Sequence, residues 1–90
     1  MAVHSFQVTL GASATPLLPA GSVQRARTVV FQNNTADAMT VGGPEVTSSI
    51  GVHLAGGGSL FIPYLLGGTE LSAWYVSGTT SDKLDVTYIE

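Results

Sequence analysis

The chain predicts an all-β fold, a small β-sandwich or jelly-roll-like barrel of roughly seven or eight short strands. Three observations carry this. Apolar and β-branched residues alternate with a period of two in short runs, as a half-buried strand requires. Gly, Pro, Asn and Asp punctuate the chain about every 8–12 residues, the spacing of an all-β domain. No stretch keeps a helical period. At ninety residues the chain is one domain, 1–90, with residues 1–5 read as an extended N-terminal arm. Area scaling gives roughly 5,000 Å² of folded surface, enough for one thin core and little room for a deep pocket.

Taken in order, Phe6, Val8 and Leu10 alternate with Ser5, Gln7 and Thr9, a first strand with one wet face. Gly11-Ala12-Ser13-Ala14 reads as a turn or bulge. Thr15-Pro16-Leu17-Leu18-Pro19 cannot be a central strand, because proline donates nothing to a ladder, so it is an edge. Ala20-Gly21-Ser22 turns the chain into a long strand, Val23 to Gln32. There Arg25, Arg27, Val29 and Phe31 share one face, with the arginines at the rim and Val29 and Phe31 inside. Asn33 to Asp37 is a turn of residues that bond their own backbone. Met39 and Val41 share one face of the next strand and Ala38 and Thr40 the other, and Gly42-Gly43-Pro44 ends it.

Ile50 to Leu54 and Ser59 to Ile62 read as two strands joined in a hairpin by Gly56-Gly57-Gly58. Tyr64 to Gly68 is an unusually apolar connection that either plugs one end of the domain or meets a partner. Leu71 to Ser77 reads as a strand bearing Trp74, and Thr79 to Asp82 as a hairpin turn. In the last strand Leu84, Val86 and Tyr88 alternate with Asp85, Thr87 and Ile89.

Composition removes several functions. Three fixed cations, Arg25, Arg27 and Lys83, cannot make the basic footprint of a nucleic-acid binder. No cysteine is present, so neither disulfides nor thiolate zinc sites arise. The N-terminus has no signal-peptide character, and no apolar run is long enough to span a membrane. Gly56-Gly57-Gly58-Ser59 lacks the lysine and following helix of a phosphate loop and reads as a turn. His4 and His53 have no second ligand at metal-binding spacing. The nine serines include no Gly-x-Ser-x-Gly elbow. Asp82 and Asp85 fall close in sequence, yet no Asp-x-Asp-x-Asp calcium loop surrounds them. Asn33-Asn34-Thr35 matches a glycosylation acceptor but reads as a turn. The expectation is therefore no enzyme, no cofactor, no metal and no small-molecule substrate. Only 10% of residues are charged, against roughly a quarter in average proteins. So neutral and apolar a surface is one that copies of the chain or a partner cover.

The stretch from Ala26 to Gly58 also carries a family likeness. Its Gln32-Asn33-Asn34, Val41-Gly42-Gly43, Val46-Thr47, Gly51, Leu54-Ala55 and Gly57 resemble a recurrent small all-β module of tailed-bacteriophage virion proteins. Trp74-Tyr75-Val76 and Val86-Thr87-Tyr88-Ile89 complete the pattern, which covers the chain from about Leu17 onward and rests on moderately specific glycines and small polar residues. The resemblance implies a capsid decoration (cement) protein. It would bind the major capsid protein on the outer capsid surface of the virion as a homotrimer, after synthesis in the host cytoplasm. The alternative is a receptor- or glycan-binding module of a tail or head fibre. Residues expected to meet the partner are Met1, Ala2, Val3, His4 and Ser5 as a strand-adding arm, Arg25 and Arg27, Tyr64 and Leu65, and the adjacent aromatics Trp74 and Tyr75. Of the last two, one ring is expected in the core and the other exposed.

Overall fold

The computed structural model describes residues 2–19, 21–63 and 66–90. Ten strands and one 3₁₀ turn follow in order: β1 (Val3–Thr9), β2 (Thr15–Pro16), β3 (Arg25–Ala26), β4 (Thr28–Gln32), β5 (Met39–Gly42), β6 (Val52–Leu54), β7 (Ser59–Ile62), β8 (Thr69–Glu70), the turn Leu71–Ala73, β9 (Tyr75–Gly78) and β10 (Lys83–Ile89). The all-β expectation is met. The count exceeds seven or eight because three of the strands are only two residues long. The strands form three antiparallel sheets, ordered β1-β10-β4-β7, β2-β9-β5-β6 and β3-β8, and none closes on itself.

In the first sheet the period of two is the organising fact. Register pairs Val8 with Leu84, Phe6 with Val86 and His4 with Tyr88, and carries the rows on through Phe31 and Val29 of β4 to Leu60 and Ile62 of β7. Val29, Phe31, Leu84 and Val86 on that face are fully buried. The opposite face shows Ser5, Gln7, Thr87, Asp85, Val30, Gln32 and Phe61 to the outside. In the second sheet Met39, Val41, Val76 and Leu54 turn inward. One hydrophobic cluster joins these residues from both four-stranded sheets, with Leu10, Leu17, Ala26 and Leu71 at its ends. The accessible surface, 4,875 Å², matches the area expected from mass alone.

Three connections differ from expectation. The long strand predicted over Val23 to Gln32 is broken at Arg27, a bend whose N–H donates to the Ile89 carbonyl at 2.8 Å. Residues before it pair with β8 and residues after it with β10 and β7, so the arginines leave the face that holds Val29 and Phe31. Gly56-Gly57-Gly58 does not close a hairpin. It hands the chain from β6 in one sheet to β7 in the other. Thr79 to Asp82 likewise links β9 and β10 across sheets. Thr15-Pro16 does form an edge, as the prolines required.

Asn33 fixes the glycine crossing. Its side chain is fully buried. Its amide nitrogen donates to the carbonyls of Asp37 (2.8 Å), Leu54 (3.2 Å) and Ala55 (3.2 Å). Its amide oxygen accepts from the backbone N–H and hydroxyl of Thr35, at 3.0 and 2.7 Å. Its backbone N–H donates to Gly58 and its carbonyl accepts from Gly57, both at 2.9 Å. Gly56 presses so close to this loop that a Cβ there would stand 2.7 Å from the Ala36 carbonyl oxygen.

Candidate interaction surfaces

The expected partner-binding residues fall in two places. Met1, Tyr64 and Leu65 lie outside the described residues. Val3, His4 and Ser5 are not a loose arm: they are the first residues of β1, paired with Ile89, Tyr88 and Thr87. The alternation that begins plainly at Ser5 extends back to Val3, because β10 is long enough to receive it. His4 stacks on Tyr88, rings 5.0 Å apart at 27°, and its Nε2 lies 3.3 Å from the Glu90 carboxylate. Ser5 and Thr87 share a hydroxyl hydrogen bond of 2.9 Å. Ala2 accepts from the Glu90 N–H at 3.3 Å. Arg27, exposed and in no ion pair among the described residues, stands at this same end of the sheet.

Arg25 is turned elsewhere. Its Nε lies 3.5 Å from Glu70, and its Nη1 donates to the Gly67 carbonyl at 3.2 Å. Both partners of the ion pair are substantially exposed, so it contributes little to stability. Glu70 neighbours Thr69, whose hydroxyl accepts a 3.1 Å hydrogen bond from the Trp74 indole N–H. The structure thus brings Arg25 and Trp74 to one region and separates Arg25 from Arg27.

Trp74 does not sit in a strand. It caps the Leu71–Ala73 turn, its N–H donating to the Leu71 carbonyl at 3.1 Å, and its ring packs 5.3 Å from Phe31. Tyr75 begins β9 opposite Gly42 and Pro16. Both rings are half-buried, so the expected division into one core and one exposed aromatic gives way to two intermediate ones. The reason is the 3₁₀ turn at Leu71–Ala73, which delays the strand expected from Leu71 until Tyr75.

Beside Trp74 lies an open cleft of about 490 Å³, walled by Val41, Val52, Ala73 and the backbones of Gly42, Gly43 and Gly51, with Glu45 at its rim. Gly51 makes this wall possible. It holds φ of 126°, and a Cβ there would meet Val46, Thr40 and the Val41 carbonyl at 2.7–2.8 Å. The first sheet carries a second, shallow trough of about 540 Å³ lined by Ser5, Phe6, Gln7, Gln32, Asn34, Asp85, Val86 and Thr87. Asn34 donates its amide to the Asp85 carboxylate within it.

Asp82 pairs with a different acid from the one its position in the chain suggests. Its Oδ2 is shielded from solvent with no donor of its own, and its neighbour is the Asp37 carboxyl. Two carboxyl groups share a hydrogen bond only if one keeps a proton. That hydrogen bond, then desolvation, then the charge of Asp37 hold Asp82 above its ordinary value of 3.8. Among the described residues no three His, Asp or Glu side chains gather as metal ligands, and no helix is long and apolar enough to cross a membrane.

Large apolar side chains stand in solvent among the described residues: Val3, Val23, Ile50, Val52, Phe61 at 60% exposure and Leu66 at 93%. The sequence marks Val3 and the connection holding Leu66; it leaves Val23, Ile50, Val52 and Phe61 unmarked, because which face of a short strand points outward depends on pairings that local pattern does not set. Comparison of the chain with protein-family models, with curated proteins and with solved structures finds no match.

Proposed function

We propose that this protein is a structural component of a tailed-phage virion, a decoration protein that binds the major capsid protein on the outer capsid surface and covers junctions between capsomers. The observation that carries the reading is the surface. Large apolar side chains at Val3, Val23, Ile50, Val52, Phe61 and Leu66 stand exposed on a domain with only 10% charged residues. Seating such a domain against larger neighbours takes these side chains out of water, which is favourable. Many modest contacts repeated by symmetry then hold it by avidity, with no single deep site. The glycine and small-polar pattern from Gln32 to Gly57, which resembles phage virion modules, supports the same assignment. In this reading the two four-stranded sheets are the layers of a small open sandwich with the shared hydrophobic cluster between them.

The test is cosedimentation of the purified chain with undecorated heads of the phage that encodes it. Saturable binding at many copies per head, with heads made more resistant to heat or chelator, is expected. Absence of binding to heads removes the assignment. A second reading, a glycan-binding module of a fibre, has one observation in its favour: the cleft that sets Trp74 beside Thr69 and Glu45. Intact heads without affinity for the protein, together with a hit on a glycan array that Trp74→Ala abolishes, would favour it.

A further inference from the structure

Among the strands that border the two four-stranded sheets, β1 alone is long and unprotected. β2 has two residues, one of them Pro16; β6 has three and is entered through Gly51 in a left-handed conformation; β7 has four and runs into Pro63. Short length and proline are the usual devices that keep an edge from pairing. β1 runs for seven residues, VHSFQVT, with no proline and no Asp, Glu, Lys or Arg.

Its free hydrogen-bonding groups can be assigned by period. Ala2 accepts from Glu90, and Leu10 donates to Asp82, so the even-numbered residues aim their backbone groups at β10. The N–H and C=O groups of Val3, Ser5, Gln7 and Thr9 therefore point to the open side. At the middle of that edge Phe6 packs edge-on against Tyr88, ring centroids 6.0 Å apart, and stays only partly covered.

We infer that this edge is a self-association site, at which β1 pairs antiparallel with β1 of a second copy in a register centred on Phe6. The occupant follows from the strand's own pattern. In that register Val3 faces Thr9 of the copy, His4 faces Val8, Ser5 faces Gln7 and Phe6 faces itself. Ser5 and Gln7 oppose each other on the outer face, no like charges meet, and inner faces stay on one side in both copies. The register also satisfies the backbone: the hydrogen-bonded positions are the odd ones, Val3 with Thr9 and Ser5 with Gln7, giving roughly eight new bonds. Phe6 then falls at a non-hydrogen-bonded position, where side chains approach most closely and an aromatic pair is best placed. A shift by one residue loses both the bonds and the matching faces. The result is one continuous eight-stranded sheet across two chains. This contact is isologous and closes at two copies, unlike the threefold association that the virion resemblance implies, and it does not depend on the capsid reading.

The test uses two charge variants, S5K/Q7K and S5E/Q7E, which in this register place two like-charged pairs opposite each other across the contact. Sedimentation equilibrium on the wild-type chain at on the order of 100 µM should give twice the mass of 9.3 kDa. Each variant alone should weaken association at least tenfold, and an equimolar mixture should restore it. Gln7 faces Asp85 within the chain, so the lysine variant is expected to keep the wild-type melting temperature. Should the glutamate variant melt early, adding D85N removes the clash within the chain. Backbone amides of Ser5 and Gln7 should exchange more slowly as concentration rises. A wild-type monomer at about 1 mM, a trimer, or an oligomer that survives S5K/Q7K with its stoichiometry unchanged would overturn the inference.

Discussion

Asn33 offers the sharpest test of how the two sheets are joined. Replacing it by alanine removes the amide that ties the carbonyls of Asp37, Leu54 and Ala55 to the Asn33–Asp37 loop. The bond to Leu54 is buried, and a buried carbonyl left without a donor costs about 1–3 kcal/mol. The two part-buried acceptors can recover water, so each adds about 0.5–1 kcal/mol. The sum is about 3 kcal/mol, a large share of the roughly 5–13 kcal/mol available to a domain this size. At about 4–8 °C per kcal/mol the melting temperature should fall by roughly 12–24 °C. Asn33→Asp makes a stricter control. It keeps the shape but aims carboxylate oxygen at carbonyls, which raises the folded-state pKa of the new acid. The stability of that variant is greatest below the unfolded-state pKa, about 3.9, and is lost as pH rises through the folded-state value. Asn33→Asp should therefore be at least as unstable as Asn33→Ala at pH 7 and regain stability on acidification, while Asn33→Ala should not. Differential scanning calorimetry from pH 3 to 7 measures both. A fall of less than about 5 °C for Asn33→Ala would refute the claim that this side chain holds the crossing together.

Gly51→Ala should cost about 2–4 kcal/mol, because its Cβ would strike the Val41 carbonyl and two side chains at 2.7–2.8 Å as well as meeting a positive φ. Gly57→Ala meets open space at φ 80° and should lose only about 1–2 kcal/mol; urea titration of the pair separates collision from conformational strain. Asp82→Asn removes a carboxyl whose folded pKa is raised, a group whose contribution is most favourable below 3.8 and is lost as pH rises through the folded value. The variant should gain on the wild type in melting temperature as pH climbs from 3 to 7, with no gain at the acid end; a constant offset would contradict the Asp37 contact. Trp74→Phe keeps the packing on Phe31 and gives up the bond to Thr69, a loss of about 1 kcal/mol by urea titration, whereas Trp74→Ala should lose about 3 kcal/mol or more.

Much of the architecture can be read before any coordinates, for a local reason. Alternation such as Leu84-x-Val86-x-Tyr88 and Met39-x-Val41 states which side chains go inside, and proline at position 16 states that its strand is an edge. Partners across a sheet are not local. Nothing in Gly56-Gly57-Gly58 distinguishes a hairpin turn from a crossing, since both need the same permissive backbone. The difference lies in Asn33, more than twenty residues away. It reads as a self-bonded turn residue, which its contacts to Thr35 bear out, while its reach to Leu54 and Ala55 leaves no trace in sequence. The arginines fail for a related reason. Arg25 and Arg27 share a face only if the strand is continuous, and the bend at Arg27 exists because Ile89 supplies its acceptor. As for the expected contact residues, the sequence marked aromatics and charges by type, and residues 1–5 as a free arm able to add a strand. The strongest geometric feature is instead an absence of type: a neutral strand whose significance appears only when its open side is seen.

The position of β10 sets an order of events in the making of the protein. Residues 83–89 are the interior strand between β1 and β4, so the first sheet has no middle until residue 89 has been made. A nascent chain that stops short of them exposes the inner faces of both neighbours, with Phe6, Val8, Val29 and Phe31 among them. Loss of the last seven or eight residues therefore does not trim this domain; it divides it, leaving β1 without the strand it leans on. Because the two ends meet at Ala2 and Glu90, a short linker between them with new ends opened in the exposed Thr47–Ile50 turn would place β10 ahead of β1. Such a permutant should assemble that sheet early, and comparison of its refolding rate with the native order would show how long the chain ordinarily waits.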